Sequence, residues 1–249
     1  MVAKLYNCDC LKVMRQLQDG SVVTIADPPY GIGRDWEKRD WRARMKYRDC
    51  KYMNMRPPAE FFAEMQRVSS DWILWGWNYF TDIMPPTNYL IVWDKMSNQN
   101  QVFKYSKCEI AGTSYRVPCN LISLGWDGYR MGEETGTKKI HPHQKPVALY
   151  RWLLREYVGP YFAGMTILDP CMGSGACAIA CRDVGVDYIG CETEPLFFGA
   201  TVDRLKLAFE PERDKVEIVE IGDGNDTEKD AADRRVCQVQ QQKACDSQA

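Results

Sequence analysis

The segment Asp169-Pro170-Cys171-Met172-Gly173-Ser174-Gly175 decides the fold. An apolar strand is predicted just before it, from Met165 to Leu168, and a helix of small residues just after it, to about Val184. A second predicted strand runs from Tyr188 to Cys191 and ends on Glu192. The order strand, glycine-rich turn, helix, strand and acidic residue is typical of an open α/β sheet that binds a nucleoside beyond the carboxyl ends of its strands.

The glycine-rich turn is a candidate cofactor site. Gly173 and Gly175 let the backbone turn sharply and approach a ligand closely, because glycine has no Cβ, and the helix that follows presents free N–H groups to the same point. Glu192 can accept both hydroxyls of a ribose. A packing turn and a dinucleotide site remain alternatives, since Gly173, Gly175 and Ala178 match G-x-G-x-x-A. Asp169 favours S-adenosylmethionine over a dinucleotide, because a carboxylate repels a pyrophosphate and attracts a free α-ammonium group.

A second short motif, Asp27-Pro28-Pro29-Tyr30, follows the predicted strand Ser21 to Ala26. Its two prolines end regular structure, which places the motif in a loop at the carboxyl end of the strand. The Asp27 side chain and the Pro28 carbonyl can accept both N–H bonds of a base amine, and this localises the lone pair that attacks a methyl group. Tyr30 offers a flat face for a base flipped out of the duplex. Taken alone, the motif could also be a proline-rich turn without a catalytic role.

The segment from Gly31 to Pro58 follows this loop and differs from the rest of the chain in charge. It holds nine basic and four acidic side chains, with four aromatic ones among them, in a chain whose formal net charge is −2. Basic side chains pair with phosphates and aromatic ones stack or wedge between bases, so we predict a DNA contact here, with a solvated charged loop as the alternative. Residues 116–140, interpreted as loops, are a second candidate for contacts to bases. The predicted DNA-binding side chains are Arg34, Arg39, Arg42, Arg44 and Lys46.

Composition excludes several other classes of protein. A chain of 249 residues with 45% hydrophobic and 27% charged residues is expected to fold around a sizeable core. No apolar stretch reaches the roughly 18 to 20 residues that cross a bilayer, and the first residues lack the apolar core of a signal peptide, so we predict a cytoplasmic protein with no membrane partner. The 11 cysteines contain no C-x-x-C pair and only two histidines could join them, so neither a disulfide framework nor a metal site is predicted.

The two motifs together resemble those of the DNA amino-methyltransferases. Their order, with the catalytic loop before the cofactor loop, is similar to the β class of that family. The segment His141-Pro142-His143-Gln144-Lys145-Pro146 resembles one that this class carries before its cofactor loop, and Asn7-Cys8-Asp9-Cys10 resembles its opening segment. Gly76 to Phe80 and Val92 to Lys95 resemble compact members common in phages and mobile elements. The resemblance covers residues 4 to about 210.

The resemblance implies an α/β fold, namely a Rossmann-like methyltransferase sheet that is twisted, mostly parallel with one antiparallel strand, flanked by helices on both faces, and circularly permuted in motif order. We expect a single domain over residues 1–211. Residues 212–249 are predicted from composition to be a weakly ordered acidic and glutamine-rich tail, although residues 216–221 alternate like a strand.

The resemblance also implies which residues form the site and that S-adenosylmethionine is the methyl donor. The implied catalytic residues are Asp27, Pro28, Pro29 and Tyr30. The implied cofactor-binding residues are Asp169, Gly173 and Gly175 for the methionine part, Glu192 for the ribose, Asp9 near the adenine ring, and His141, Gln144 and Lys145 for the carboxylate end. Pro170, Cys171 and Ser174 of the same turn are also implied to bind the cofactor. A packed histidine at 141 and a solvated lysine at 145 are the alternatives for those two positions.

The implied activity is methylation of the exocyclic N6 amine of a flipped adenine in double-stranded DNA at a short specific sequence, by direct in-line transfer. Aspartate rather than serine at position 27 favours adenine by family pattern, although the geometry would permit the N4 amine of cytosine. An RNA or protein-glutamine methyltransferase is disfavoured by the motif order, and a catalytically silent DNA-binding relative by the intact loop. Other candidate partners are a second copy of the chain in a homodimer and a cognate restriction endonuclease.

Three features depart from the family pattern. Cys171 replaces the usual phenylalanine, which removes an aromatic wall from the cofactor pocket, and Ala176 replaces the usual threonine. No long insert precedes His141 that could serve as a separate target-recognition domain. The length and strictness of the recognition sequence are therefore open.

Overall fold

Ten strands form one sheet in the part of the chain that the computed structural model describes, which is residues 1–32, 55–95, 106–126, 131–159, 164–221 and 236–238. Their order across the sheet is β10-β9-β1-β8-β7-β2-β3-β5-β4-β6. The strands are β1 (Val2–Tyr6), β2 (Val22–Ala26), β3 (Ser69–Trp75), β4 (Leu90–Asp94), β5 (Cys108–Thr113), β6 (Asn120–Ser123), β7 (Thr166–Asp169), β8 (Asp187–Cys191), β9 (Lys215–Val219) and β10 (Val236–Gln238).

Most neighbouring strands of this sheet run parallel, as the sequence predicts. Strands β9, β1, β8, β7, β2 and β3 are mutually parallel, whereas β5 pairs antiparallel with both β3 and β4. A further antiparallel strand, β10, lies at the edge beside β9. All five residues of β2 are buried, as expected of a central parallel strand covered on both faces. The predicted α/β class with a mostly parallel sheet is thus confirmed.

Helices cover both faces of the sheet and enclose two apolar clusters. The helices are α1 (Cys10–Met14), α2 (Ala59–Val68), α3 (Val147–Leu153), α4 (Ala176–Val184) and α5 (Pro195–Ala208). Side chains of α1 and α2 pack in one cluster with Ala26 and Leu74, and side chains of α3, α4 and α5 pack in the other with Ile25 and Ile73. Neighbouring residues of β2 and β3 thus point to opposite faces, as strand geometry requires. Within the described ranges, no helix is long and apolar enough to span a bilayer.

Two expectations need correction. The tail predicted to be weakly ordered from residue 212 contributes Lys215–Val219 to the sheet as β9, parallel to β1, so the folded unit does not end at 211. The alternating apolar residues of this strand pack against the core, which outweighs the polar composition around them. Residues 116–140, predicted to be loops, contain β6, which pairs with β4. The remainder of the tail, residues 222–235 and 239–249, lies outside the described residues.

The sheet topology brings the sequence motifs together. The Asp27 loop follows β2 and the glycine-rich turn follows β7, and these two strands are neighbours that pair in parallel. Strands β1, β8 and β3 end at the same edge of the sheet, since they run in the same direction. Five of the motif-bearing loops therefore open on one side of the molecule, where open α/β sheets bind their ligands.

Candidate active site

A cavity of about 1180 Å³ lies at this edge of the sheet. It exceeds the roughly 300–1,000 Å³ of ordinary ligand pockets and therefore has room for a nucleoside cofactor beside a second ligand. Among the predicted residues, those that line it are Asp9, Asp27, Pro28, Pro29, Tyr30, His141, Gln144, Lys145, Pro170, Cys171, Gly173, Ser174 and Glu192. Asp169 and Gly175 do not line it.

Side chains of helix α5 hold the glycine-rich turn through hydrogen bonds to its backbone carbonyl groups. Gly173 and Gly175 have φ angles of 48° and 70°, a left-handed conformation that glycine adopts without strain. A Cβ on Gly175 would lie 2.7 Å from the Thr201 methyl group of α5. The Thr201 hydroxyl donates to the Gly173 carbonyl, and Arg204 donates to the Ser174 carbonyl at 2.9 Å. Helix α5 thus supports the turn from behind and leaves its other side to the cavity.

Asp169 lies under this turn as a buried carboxyl group, only 2% exposed. The Tyr188 hydroxyl and the Cys171 N–H donate to it at 3.1 and 3.2 Å. Burial raises the pKa of Asp169 to about 7, because these two donors only partly offset the loss of water. The structure therefore places Asp169 where its charge acts on the cavity through the turn rather than from the cavity wall.

Unlike Asp169, two carboxylates line the cavity, and each of them follows one of two neighbouring strands. Asp9 follows β1 and caps α1 by accepting a hydrogen bond from the Leu11 N–H at 2.9 Å. Glu192 follows β8 and accepts from the Glu194 N–H at 2.9 Å, and burial raises its pKa. The Glu192 carbonyl in turn accepts from the Asn7 amide at 2.7 Å, which ties the two strand ends together.

The Tyr30 side chain makes most of the contacts described for the Asp27 loop. Its ring stacks on Tyr79 with centroids 5.1 Å apart, and it packs so closely on Gly76 that a Cβ there would lie 2.2 Å from the ring. The Tyr30 hydroxyl donates to Asp27 Oδ1 at 2.8 Å and lies 3.2 Å from Glu109 Oε2. The aromatic face and the carboxylate that the sequence predicts for base binding are therefore fixed against each other.

Lys145 joins this loop rather than the cofactor turn. Its ammonium pairs with Asp27 Oδ2, lies 3.0 Å from Glu109 Oε2 and donates to the Tyr30 hydroxyl at 3.3 Å. The residue is only 8% exposed, so a solvated lysine is excluded. The prediction that Lys145 pairs with a cofactor carboxylate is not supported by this placement, since two protein carboxylates already hold its charge.

Glu109 and Lys95 complete a partly buried cluster of charged side chains that the sequence analysis did not predict. Lys95 lies 2.9 Å from Glu109 Oε1. Burial alone would raise the pKa of Glu109, but the ammonium groups of Lys145 and Lys95 lower it to about 2. Burial would lower the pKa of Lys145, but Asp27 and Glu109 raise it. The sequence signals were a glutamate near the start of the apolar strand β5 and the place of Lys95 at the end of the segment Val92 to Lys95, and neither indicates that the two side chains meet.

His141 and Gln144 line the cavity but bond within their own surroundings. The His141 ring packs edge-on against Phe197 with centroids 4.4 Å apart and accepts from the His143 N–H, and burial lowers its pKa to about 3, so the ring is neutral. The Gln144 amide accepts from the Ile140 N–H at 3.1 Å and donates to Glu134 at 3.3 Å. Both residues support the segment that carries Lys145.

The predicted DNA-binding residues Arg34, Arg39, Arg42, Arg44 and Lys46 lie outside the described residues. The end of their segment is described at Arg56, which lines the cavity, pairs with Asp82 and places its guanidinium 5.5 Å from the centre of the Phe80 ring. The described end of the basic segment thus lies beside the cavity, just before α2.

Comparisons with known proteins agree with this fold. The type II methyltransferase M.HpaI of Haemophilus parainfluenzae is 23% identical over 84% of this chain and 76% of its own. Among solved structures, the M1.HpyAVI–SAM complex (18% identity, TM-score 0.51) covers 82% of this chain and 100% of its own. TTHA0409 of Thermus thermophilus with S-adenosyl-L-methionine (17%, 0.53) covers 86% and 99%, and the cytosine-N4-specific PvuII DNA methyltransferase (13%, 0.54) covers 81% and 86%.

These neighbours share the fold, and a match to a family model identifies the family. The model of the DNA methylase family matches residues 72–202, more than half of the chain, and this range includes both the glycine-rich turn and the segment with Lys145. The chain belongs to the N6/N4 DNA methylase family.

Proposed function

We propose that the protein methylates the exocyclic N6 amine of adenine at a short specific sequence in double-stranded DNA, with S-adenosylmethionine as methyl donor. The observation that carries this proposal is one continuous cavity with the Asp27 loop on one wall and the glycine-rich turn on the other. Methyl transfer needs a base amine and a donor side by side, and the two motifs proposed to bind them follow the neighbouring strands β2 and β7.

The residues of the turn fit S-adenosylmethionine. Gly173 leaves the backbone open to a close approach, Glu192 supplies a carboxylate for the ribose hydroxyls, and Asp9 lines the far end of the same wall. Asp169 lies beneath the turn, and its carboxyl group can attract the α-ammonium of this cofactor, whereas its ionised form would repel a pyrophosphate. The bound cofactor would supply the sulfonium-activated methyl group.

The catalytic loop has what the other half of the reaction needs. Asp27 accepts an N–H of the base amine and receives the proton that the nitrogen loses after transfer, while the Pro28 carbonyl accepts the second N–H. Tyr30, held by Tyr79, stacks on the flipped base. Lys145 donates to the other oxygen of Asp27, and this charge-assisted contact fixes the direction of the carboxylate before the base arrives.

Cytosine N4 is the second candidate for the target amine. The PvuII enzyme, which shares the fold, is specific for it. Aspartate at position 27 supports adenine instead, as the resemblance implies. The DNA contact proposed for Arg34, Arg39, Arg42, Arg44 and Lys46 would serve either base, because phosphates carry no sequence information.

The test is mass spectrometry of nucleosides from unmethylated genomic DNA after incubation with the protein and S-adenosylmethionine. We expect N6-methyladenine, and mapping the modified positions gives the target sequence. N4-methylcytosine would overturn the base assignment alone. No modified base, with cofactor binding intact in calorimetry, would overturn the proposed activity.

A further inference from the structure

Glu109 reaches the catalytic loop because of the direction of β5. This strand runs antiparallel to β3, with Ala111 opposite Trp75, the last residue of β3. The first residues of β5 therefore lie past the carboxyl end of β3, at the edge where the motif loops meet. A side chain at the start of an antiparallel strand thereby enters a site otherwise built from the ends of parallel strands.

At that position the Glu109 carboxylate touches three groups of the site. Its Oε2 atom lies 3.0 Å from the Lys145 ammonium and 3.2 Å from the Tyr30 hydroxyl, and its Oε1 atom lies 2.9 Å from the Lys95 ammonium. Lys145 and Tyr30 are the two groups that bind the oxygens of Asp27. Among the described contacts, Glu109 therefore holds both partners of the Asp27 carboxylate and reaches Asp27 through them.

We propose that Glu109 is a positioning residue for methyl transfer, which fixes the direction of the Asp27 carboxylate by holding Lys145 and Tyr30 in place. This inference rests on the proposed function. Lys95 balances the cluster, because two carboxylates and two ammonium groups leave no net charge on these four side chains. Removing the charge of Glu109 leaves Lys145 to Asp27 alone, and an ammonium drawn onto that carboxylate competes with the base amine for its oxygens.

The charge of Glu109 also sets how Lys145 responds to pH. The titratable and charged groups around the Lys145 ammonium come from five parts of the chain. They are Asp27 and Tyr30 after β2, Lys95 after β4, Glu109 on β5, His141 and His143 on its own segment, and Tyr150 on α3. Both Asp27 and Glu109 raise the pKa of Lys145. If Glu109 is replaced by a neutral residue, only Asp27 remains to raise it, so Lys145 loses its proton at lower pH and the alkaline limit of turnover moves to lower pH.

The experiment compares Glu109→Gln with Glu109→Asp and with Glu64→Gln. Glu64 is a matched control, since its side chain is 20% exposed against 22% for Glu109 and it is also ion-paired, with Arg67 on α2 away from the cavity. For each full-length variant, kcat and KM for DNA are measured at saturating S-adenosylmethionine across pH, together with the cofactor Kd by calorimetry.

We expect Glu109→Gln to lower kcat about 10- to 100-fold, a loss typical of one misdirected catalytic group, with the cofactor Kd nearly unchanged. Its alkaline limb should move to lower pH. Glu109→Asp keeps the charge, so it should retain the wild-type alkaline limb and recover part of kcat, and Glu64→Gln should behave as wild type.

Normal kcat in Glu109→Gln would overturn the proposal. Equal losses in both Glu109 variants with an unshifted alkaline limb would do the same, because that result indicates packing alone. A wild-type protein that transfers no methyl group to any DNA would overturn the proposed function, and with it this inference, whereas an active wild type confines any failure to Glu109.

Discussion

The Asp27 loop and the glycine-rich turn follow neighbouring strands and face one cavity, yet different interactions hold them. The Asp27 loop is held by side-chain charges from three other segments, through Lys145, Glu109 and Lys95. The turn is held by backbone carbonyls, by left-handed glycines and by contact with α5 at Thr201. The position of the Asp27 loop thus depends on charged side chains, and the position of the glycine-rich turn depends on how closely its backbone packs.

This difference has a physical reason. The Asp27 carboxylate is partly buried, and a charge in such a place is stable only beside an opposite charge, here the Lys145 ammonium. The turn must leave space for a ligand to approach the backbone, which requires missing side chains rather than added ones. Changes of charge should therefore affect turnover, and changes of volume at the turn should affect cofactor affinity.

The largest difference between the effect on turnover and the effect on cofactor affinity is expected for Asp27→Ala. The substitution removes the acceptor of the base amine, and we expect turnover to fall by about a thousandfold or more, while the cofactor Kd stays within about twofold. Single-turnover methylation and calorimetry measure the two quantities. Asp27→Asn keeps the volume and is the control for packing. Near-normal turnover in Asp27→Ala would show that amine activation does not depend on this carboxylate.

Asp169 offers a second contrast, since it is a buried carboxyl group without an ammonium partner. Its pKa in the folded protein, about 7, lies above the ordinary value, so its contribution to stability is fully present below about pH 4 and is lost as pH rises through 7. Between about pH 5 and 8 we expect the free energy of unfolding of the cofactor-free protein to fall by about 2 to 3 kcal/mol from this group.

Urea unfolding of the wild type and of Asp169→Asn at both pH values measures this loss. The amide stays neutral and can still accept from Tyr188, so the variant should lack this part of the pH dependence. Identical pH dependence in both proteins would mean that Asp169 is ionised at neutral pH, and the turn would then carry a permanent negative charge.

The sequence alone predicted the two motifs and the side of the sheet where they meet, because short motifs with prolines and glycines fix local structure. It could not predict Glu109 and Lys95, because their contact with Lys145 depends on the antiparallel pairing of β5, which brings together residues far apart in the chain. The polar composition of the tail led to a wrong prediction for the five residues of β9, which pair with β1 and join the sheet. The basic segment's role stays a prediction.

A smaller and more local test uses glycines. Gly175→Ala places a methyl group 2.7 Å from Thr201, so α5 or the turn must shift, and we expect the cofactor Kd to rise about tenfold or more. Gly76→Ala pushes on the Tyr30 ring instead and should lower kcat with little change in Kd.

The control for both is Gly185→Ala. Gly185 has a similar φ of 78°, but a Cβ there meets nothing within 4 Å. It should therefore show only the cost of a left-handed alanine, about 1 kcal/mol of stability, and normal kinetics. If all three variants changed kcat and Kd alike, the two walls would not be separable.

The smallest effect is expected for Arg204→Met, which keeps most of the apolar stem and removes the guanidinium. Arg204 donates to the Ser174 carbonyl at 2.9 Å and to Glu134 at 2.6 Å, and Glu134 also accepts from the Val147 N–H at 2.8 Å at the start of α3. One lost hydrogen bond at the turn corresponds to about 1 kcal/mol, so we expect the cofactor Kd to rise about fivefold.

Turnover of Arg204→Met at saturating cofactor should stay normal, because the guanidinium supports the shape of the turn and not the charge of Asp27. Lys206→Met on the same helix is the control, since Lys206 pairs only with the exposed Asp203 among the contacts described. A fall in kcat without a change in Kd would mean that Glu134 transmits the disturbance along the segment that carries Lys145. The charge-held wall and the shape-held wall would then be mechanically coupled through that one glutamate.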